Sequence, residues 1–391
     1  MRIATPLVLV LLVGCSSGGG APTPSTTTAT LTPTPSAAAS EAAPPLPELV
    51  PADGTAWFGM NLDWANDSIA DVSARLGATP SVWVQFVEFP LDDGGRGNLD
   101  SFVEQVAAVG GIGLVTLEPR GGLESVTAAA AEELASLLDA YWRMDGTPII
   151  VRFAHEMNGS WYPWGQQPEA YVDAFRTVAA AVHELAPASA MAWAPNEGSG
   201  YPFMGQRFSA QDASLDTNGD GEITNTDDPY APYWPGDDAV DFVGMSVYHW
   251  GLAYPWGENE MPADGTFRAL ITGDAIGVHE GQVPIPDFYA TYADGHDKPM
   301  GVFETAALYN PSAAGPDEGD LKSAWWQQVT DPAVREEFPR IAMLNWFEWR
   351  KDEPEVGGVV DWRLTSDPEL ARALIAQARD GWLRFGGLEG G

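Results

Sequence analysis

From residue 51 onward the polarity pattern repeats one unit. A short apolar run is followed by a polar, Gly- or aromatic-rich loop and then by an Ala-rich amphipathic stretch. The apolar runs predict strands at 56–60, 82–89, 112–117, 148–155, 191–194, 242–248, 299–303 and 341–346. Apolar residues at three- and four-residue spacing predict helices at 99–109, 126–144, 168–184 and 321–337, with Pro168-Glu169 and Asp331-Pro332 as helix-start signals. Strands alternating with helices in this way predict an α/β fold, a single (β/α)8 TIM barrel with loop insertions. An open doubly wound sheet is the alternative, but no Gly-rich phosphate loop follows its first strand.

The first 50 residues do not share this pattern. Arg2, the apolar run from Pro6 to Val13 and the small residues before Cys15 read as an export signal over 1–14, too short to span a bilayer. Leu12-Val13-Gly14-Cys15 resembles the bacterial lipobox, in which the cysteine carries the lipid. Cys15 is the only cysteine, so no intramolecular disulfide can staple the fold. Residues 15–50 are rich in Ser, Thr, Pro and Ala and poor in large apolar side chains, which predicts a disordered tether. The folded part is then 51–391, exported and lipid-anchored at a bacterial cell surface or envelope, with lipid as its sole link to the membrane. A monomer is expected.

Charge narrows the partners. The 19 Lys plus Arg against 55 Asp plus Glu give a formal net charge of −36. Nucleic acid and anionic headgroups both demand a basic face, so neither is expected as a partner. An anionic substrate would be repelled, which favours a neutral or cationic one.

A barrel places chemistry at the C-terminal ends of its strands. The fourth run, Ile149-Ile150-Val151-Arg152-Phe153-Ala154-His155-Glu156, closes on a carboxylate and continues into Met157-Asn158-Gly159-Ser160-Trp161. Alternation puts Arg152 on the same face as Glu156, and a buried Arg needs a carboxylate nearby. The seventh run, Met300-Gly301-Val302-Phe303-Glu304, also ends in Glu. Two glutamates at one barrel mouth form the carboxylate pair that glycoside cleavage uses. His155-Glu156 lacks the second histidine of H-E-x-x-H, and His183, His249, His279 and His296 show no ligand spacing. No G-x-S-x-G elbow is present.

The segment 151–161 resembles the acid/base strand of glycoside hydrolase family 26, the β-mannanase family. Trp193-Ala194-Pro195-Asn196 is similar to its fifth-strand segment, and Tyr233-Trp234-Pro235-Gly236-Asp237-Asp238 to its approach to a sixth strand ending in a tyrosine, here Tyr248. The resemblance implies that Glu156 is the acid/base, that Glu304 is the nucleophile and that an aromatic closes strand eight, here Trp346. Phe303-Glu304-Thr305-Ala306 departs from the Glu-x-Gly pattern of mannanases. The implied activity is a retaining endo-β-glycanase, first on β-1,4-mannan, with mixed-linkage β-1,3-1,4-glucan or β-1,3-xylan as alternatives and no catalytic cofactor. A non-catalytic carbohydrate-binding lipoprotein is the reading from another class.

Flat π surfaces suit the C–H faces of sugars. Among 16 tryptophans, those beyond strands four to six form a candidate aromatic mouth. The expected substrate-binding set is His155, Asn158, Trp161, Trp164, Tyr248, Trp346, Arg152 and Trp83. Finally, residues 216–227 follow the D-x-[DN]-x-[DN]-G calcium pattern. Asp216, Asn218, Asp220 and Asp227 are the expected side-chain ligands of a structural calcium ion, and Glu222 a backbone one.

Overall fold

The computed structural model describes residues 46–388 other than Gln206, Ala253 and 275–282. Cys15, the 1–14 segment, most of the 15–50 tether and His279 lie outside the described residues. The chain divides into two units, Met1–Ala42 and Ala43–Gly391, and all described residues belong to the second.

Eight strands pair in parallel in chain order: β1 (Ala56–Leu62), β2 (Val82–Glu88), β3 (Ile112–Glu118), β4 (Ile149–Phe153), β5 (Ala190–Trp193), β6 (Phe242–Ser246), β7 (Met300–Thr305) and β8 (Ile341–Glu348). β8 returns to pair with β1 from Trp57↔Met343 to Leu62↔Glu348, which closes the (β/α)8 barrel. The helices are α1 (Ile69–Leu76), α2 (Asp93–Ala108), α3 (Ala128–Asp145), α4 (Pro168–Leu185), α5 (Thr266–Thr272), α6 (Glu318–Thr330), α7 (Pro332–Glu337) and α8 (Pro368–Arg379). A hairpin of β9 (Arg350–Glu353) and β10 (Gly358–Asp361) follows β8, and β11 (Leu383–Arg384) adds to the start of β1.

The expected helix over 321–337 is two helices. Pro332 has no N–H to give and pushes Asp331 out of the helical region, to φ −54, ψ 129, where its side chain caps Ala333 N–H. α2 starts earlier than its apolar pattern, because Asp92 accepts from Gly95 N–H at 2.7 Å and carries the helix through a glycine-rich first turn.

Strand alternation divides the apolar residues into two cores. Trp57, Val82, Val84, Leu114, Ile150, Ala192, Phe242, Phe303 and Met343 cluster inside the barrel. The opposite phase, including Met60, Trp83, Val151, Trp193 and Trp346, joins the helices in the outer core. This phase decides two of the expected binding residues. Trp83 is buried in the outer core, and Trp346 lies there too, 5.7 Å from the Trp326 ring, with its indole N–H on the Trp362 carbonyl at 3.0 Å. Neither reaches the barrel mouth.

The inner face becomes polar toward the C-terminal ends. Asn61, Thr116, Arg152, Ser246 and Asn345 are all buried there, directly below the rim. Phe303 occupies the interior because glycines flank it. A Cβ at Gly301 would fall 2.3 Å from its ring, and one at Gly244 would fall 2.5 Å away. The register of β7 against β8 slips between Val302 and Thr305, so Phe303 fills the barrel while Glu304 pairs opposite Ser246 at the mouth.

Candidate active site

At the C-terminal end of the barrel lies a trough of about 1030 Å³ whose walls come from the ends of all eight barrel strands. Glu304 is the penultimate residue of β7 and is buried, with both carboxylate oxygens engaged. Arg152 Nη1 donates to Oε1 at 2.5 Å, and the Tyr248 hydroxyl donates to Oε2 at 2.6 Å. Arg152 also donates to Ser246 Oγ at 3.0 Å and lies 5.8 Å from the Phe303 ring. The cation is thus fixed from three sides and held against one carboxylate.

Glu156 follows β4 on a turn that takes an unusual backbone path. Ala154 and Glu156 have φ of 45° and 55°, left-handed values that cost a non-glycine residue on the order of 1–3 kcal/mol each. Hydrogen bonds hold that path: Glu156 N–H to Ala194 O at 2.8 Å and Gly159 N–H to Glu156 O at 2.9 Å. Asn158 is buried and secures the same turn, exchanging hydrogen bonds with the backbone of Asn196 at 2.8 and 2.9 Å. Gly159 has a steric reason, since a Cβ there would sit 2.3 Å from the Trp161 ring. That close approach lets the Trp161 indole N–H reach Glu156 Oε2 at 2.8 Å.

The two carboxyls therefore sit in unlike surroundings. Burial, reinforced by the charge of Glu304 and only partly offset by Arg152, Ser246 and Trp161, lifts the Glu156 pKa to about 7. Burial also holds the His155 imidazole well below its usual range, helped by Arg152 and Arg120, so the ring is neutral. His155 Nε2 meets the Tyr162 hydroxyl at 3.3 Å. Burial, and then the charge and hydrogen bond of Glu304, keeps the Tyr248 hydroxyl protonated far above neutral pH. One oxygen or nitrogen from each of His155, Glu156 and Glu304 falls within 4.8 Å of the others, the one such set of three His, Cys, Asp or Glu side chains among the described residues. A cation there would compete with Arg152 and Tyr248 for the oxygens of Glu304.

Of the expected binding residues, His155, Trp161 and Tyr248 line the trough. Arg152 and Asn158 stand behind it, the first on Glu304 and the second on the Glu156 turn. Trp164 is buried and not a platform. Its indole donates to the His155 carbonyl at 2.7 Å and its ring stacks on Tyr162 at 4.4 Å. The wall attributed to Trp346 is made by its strand neighbours Phe347 and Trp349, stacked at 5.9 Å, with Trp362, Trp250 and Trp256 continuing it. Trp250 and Trp256 belong to the expected aromatic mouth, whereas sequence reasoning missed Phe347, Trp349 and Trp362 because β8 runs on into the β9–β10 hairpin, which carries no period-two apolar pattern. It also missed Glu118, Arg120 and Glu197 in the trough. Glu118 ends β3 as Glu156 follows β4 and Glu304 stands one residue before the end of β7, a signal that was available.

In the 216–227 loop, Asp216 accepts from the N–H groups of Gly219, Asp220 and Gly221, and Asp220 accepts from Glu222 N–H. Asp227 takes Thr217 and Asn218 N–H on one oxygen and Thr224 N–H on the other, tying the two ends of the loop together. Asp216, Asp220 and Asp227 do not gather three carboxylate oxygens within 4.8 Å. The donor types suit calcium, while the carboxylates are spent on the loop's own N–H groups.

Residues 119–207 match the model of Glycosyl hydrolase family 26. Among curated proteins the chain is 24% identical over 236 residues to Endoglucanase H of Acetivibrio thermocellus, covering 58% of this chain and 20% of that protein. It is 26% identical over 196 residues to Beta-1,3-xylanase TXYA of a Vibrio species, covering 46% and 36%. The chain thus spans well under half the length of these relatives. Its fold is that of a Cellulomonas fimi endo-beta-1,4-mannanase double mutant, at TM-score 0.55 and 19% identity over 86% of this chain and 74% of that one. The catalytic domain of a Bacillus sp. JAMB-750 endo-beta-1,4-mannanase matches at TM-score 0.54 and 18% identity, over 85% and 87%.

Proposed function

We propose that the chain is a glycoside hydrolase of family 26, whose model matches residues 119–207, and that it is a retaining endo-β-glycanase acting on a neutral β-linked polysaccharide by double displacement between Glu304 and Glu156. The observation that carries this reading is the approach of Glu156 and Glu304 to within 4.8 Å. Retaining pairs stand about 5–5.5 Å apart, whereas inverting pairs leave about 6.5–9.5 Å for a water. In the first step Glu304 attacks the anomeric carbon as its bond to the leaving oxygen breaks, and the proton of Glu156 passes to that oxygen. In the second, the Glu156 carboxylate takes a proton from water, the hydroxide adds to the anomeric carbon, and Glu304 leaves. The raised pKa of Glu156 suits a group that must first give and then accept a proton near neutral pH. Arg152 and Tyr248 hold Glu304 in line with donors on both oxygens.

β-1,4-Mannan is the first substrate proposed, from the resemblance of 151–161 to the β-mannanase strand. A second reading, mixed-linkage β-glucan or β-1,3-xylan, is favoured by the names of the sequence relatives, an endoglucanase and a β-1,3-xylanase. Reducing-sugar release from galactomannan, barley β-glucan and β-1,3-xylan tests these, and proton NMR of the first-formed anomer tests the mechanism. Initial release of the α-anomer refutes retention. Cleavage of none by a folded protein favours a carbohydrate-binding role.

Three further expectations belong to this proposal and rest on sequence. Export with lipid on Cys15 is tested by radiolabelled palmitate incorporation into wild type and Cys15→Ala. A monomer is tested by light scattering. Calcium in the 216–227 loop, held by Asp216, Asn218, Asp220, Asp227 and the Glu222 carbonyl, would cross-link the insertion between β5 and β6. Asn225, at the end of this loop, lines the trough.

A further inference from the structure

One carboxyl in the trough has no part in the double displacement. Glu197 follows β5, is half-buried and lines the trough. Both of its oxygens are anchored by a single neighbour: Ser199 N–H reaches Oε1 at 2.7 Å and Ser199 Oγ reaches Oε2 at 2.5 Å. The turn that holds them is packed on both sides. A Cβ at Gly198 would fall 2.6 Å from Pro229, and one at Gly200 would fall 2.6 Å from the Phe203 ring. Tyr230 fixes the same turn, its hydroxyl accepting from Gly198 N–H at 2.9 Å.

The position of this turn relative to the proton donor is set by backbone bonds. Glu156 N–H meets the Ala194 carbonyl, Asn196 N–H meets Asn158 Oδ1, and Glu197 N–H meets the Ser246 carbonyl at 3.2 Å. Trp161 links the two loops as well, since its indole N–H holds Glu156 and its ring lies 5.1 Å from that of Phe203. The leaving sugar must lie beyond the group that protonates its oxygen, and the wall beyond Glu156 is the 196–204 loop.

We infer that Glu197 is a specificity-determining residue that hydrogen-bonds a hydroxyl of the sugar on the leaving-group side of the cleaved bond, with Ser199 as its positioning residue. This rests on the glycanase reading. A rigid carboxyl that faces a solvent trough and has two donors from one serine retains lone pairs for a ligand's O–H groups. Among the described residues no cation offsets its burial, which lifts its pKa to about 7 and leaves a site whose best partners are neutral donors. A site built around a substrate hydroxyl discriminates strongly against ligands that lack it, because its own polar group is then left unpaired. Uronic acids would place like charge against it, so the leaving-group sugar is expected to be neutral.

The test compares wild type, Glu197→Ala, Glu197→Gln and Ser199→Ala on two substrates sharing one glycone. One is an unmodified oligosaccharide of the polymer the wild type cuts, and the other its aryl glycoside, whose phenolate leaves without occupying the leaving-sugar position. Glu197→Ala should lose about 10–100-fold in kcat/KM on the oligosaccharide, with a smaller loss for Glu197→Gln and Ser199→Ala. On the aryl glycoside all three variants should retain most of theirs. Equal losses on both substrates, or no loss on either, overturn the inference while leaving the hydrolase reading intact. A wild type that cleaves no β-glycan overturns the proposed function itself, and the inference with it. Glu197→Gln, which preserves size and the Ser199 contacts, decides the matter if Glu197→Ala does not fold.

Discussion

Arg152 Nη1 and Glu304 Oε1 meet at 2.5 Å, joining β4 and β7 across the barrel, with the guanidinium fully buried. Removing one member of such a pair leaves the other uncompensated, at a cost of about 3–5 kcal/mol. Arg152→Met should therefore lower the guanidinium midpoint substantially. Arg152→Met/Glu304→Gln should recover part of that loss. A double-mutant cycle measures the coupling, and simple additivity would show the pair to be energetically independent.

Under the proposed mechanism Glu156 makes the reaction pH-dependent in a definite sense. Its protonated form is the one that assists departure, and its pKa is raised to about 7, so kcat/KM on the polysaccharide should fall above that pH. The same shift acts on stability. The folded protein keeps the proton up to about 7 while the unfolded chain loses it near 4.5, so the contribution is complete below about 4.5 and is lost as pH rises through about 7. Glu156→Gln removes this dependence. Its melting temperature should gain on that of the wild type between those pH values, and parallel melting curves across the range would count against the raised pKa. Glu197, lifted to the same value, titrates alongside, and Glu197→Gln separates its share.

The tryptophans of the β8 region divide by strand phase. Trp346→Ala should cost roughly 3–5 kcal/mol of stability by opening a cavity under α6. Trp349, on the opposite phase and lining the trough, should raise KM when changed to Ala while leaving the melting temperature nearly intact. Chemical denaturation and steady-state kinetics on the two variants check this, and a reversed pattern would place Trp346 at the substrate.

Calcium is expected to raise the melting temperature of the wild type, and Asp216→Ala should abolish that response. Titration calorimetry with calcium chloride after chelator treatment measures it. Absence of heat at millimolar calcium would mean that the hydrogen bonds of Asp216, Asp220 and Asp227 complete the loop unaided.

The alternation of apolar runs with amphipathic stretches was enough to place all eight barrel strands, and the Glu near the end of each of two runs marked the two carboxyls that the structure brings together at the mouth. Two of the errors share one physical origin. A strand has two phases, and the sequence alone does not say which faces the barrel axis near a bulge, so Trp83 and Trp346 were assigned inward when their neighbours Val82, Val84 and Phe347 hold that side. Trp164 failed differently. It belongs to the right loop, but the loop folds over it. Glu197 and the β9–β10 rim were not legible because a short turn, and a hairpin with one charged strand and one four-residue strand, leave no periodic signature.

The β9–β10 hairpin is fastened at its base, and near its tip Val356 packs beside Gly257. Trp346, Trp349 and Tyr309 bond the backbone of Asp361 and Trp362, and Glu348 accepts from Leu364 and Thr365 N–H, while residues near Glu355 project beside the trough. Lengthening this tip would extend one wall of the trough while leaving untouched the strand ends that hold Glu156 and Glu304.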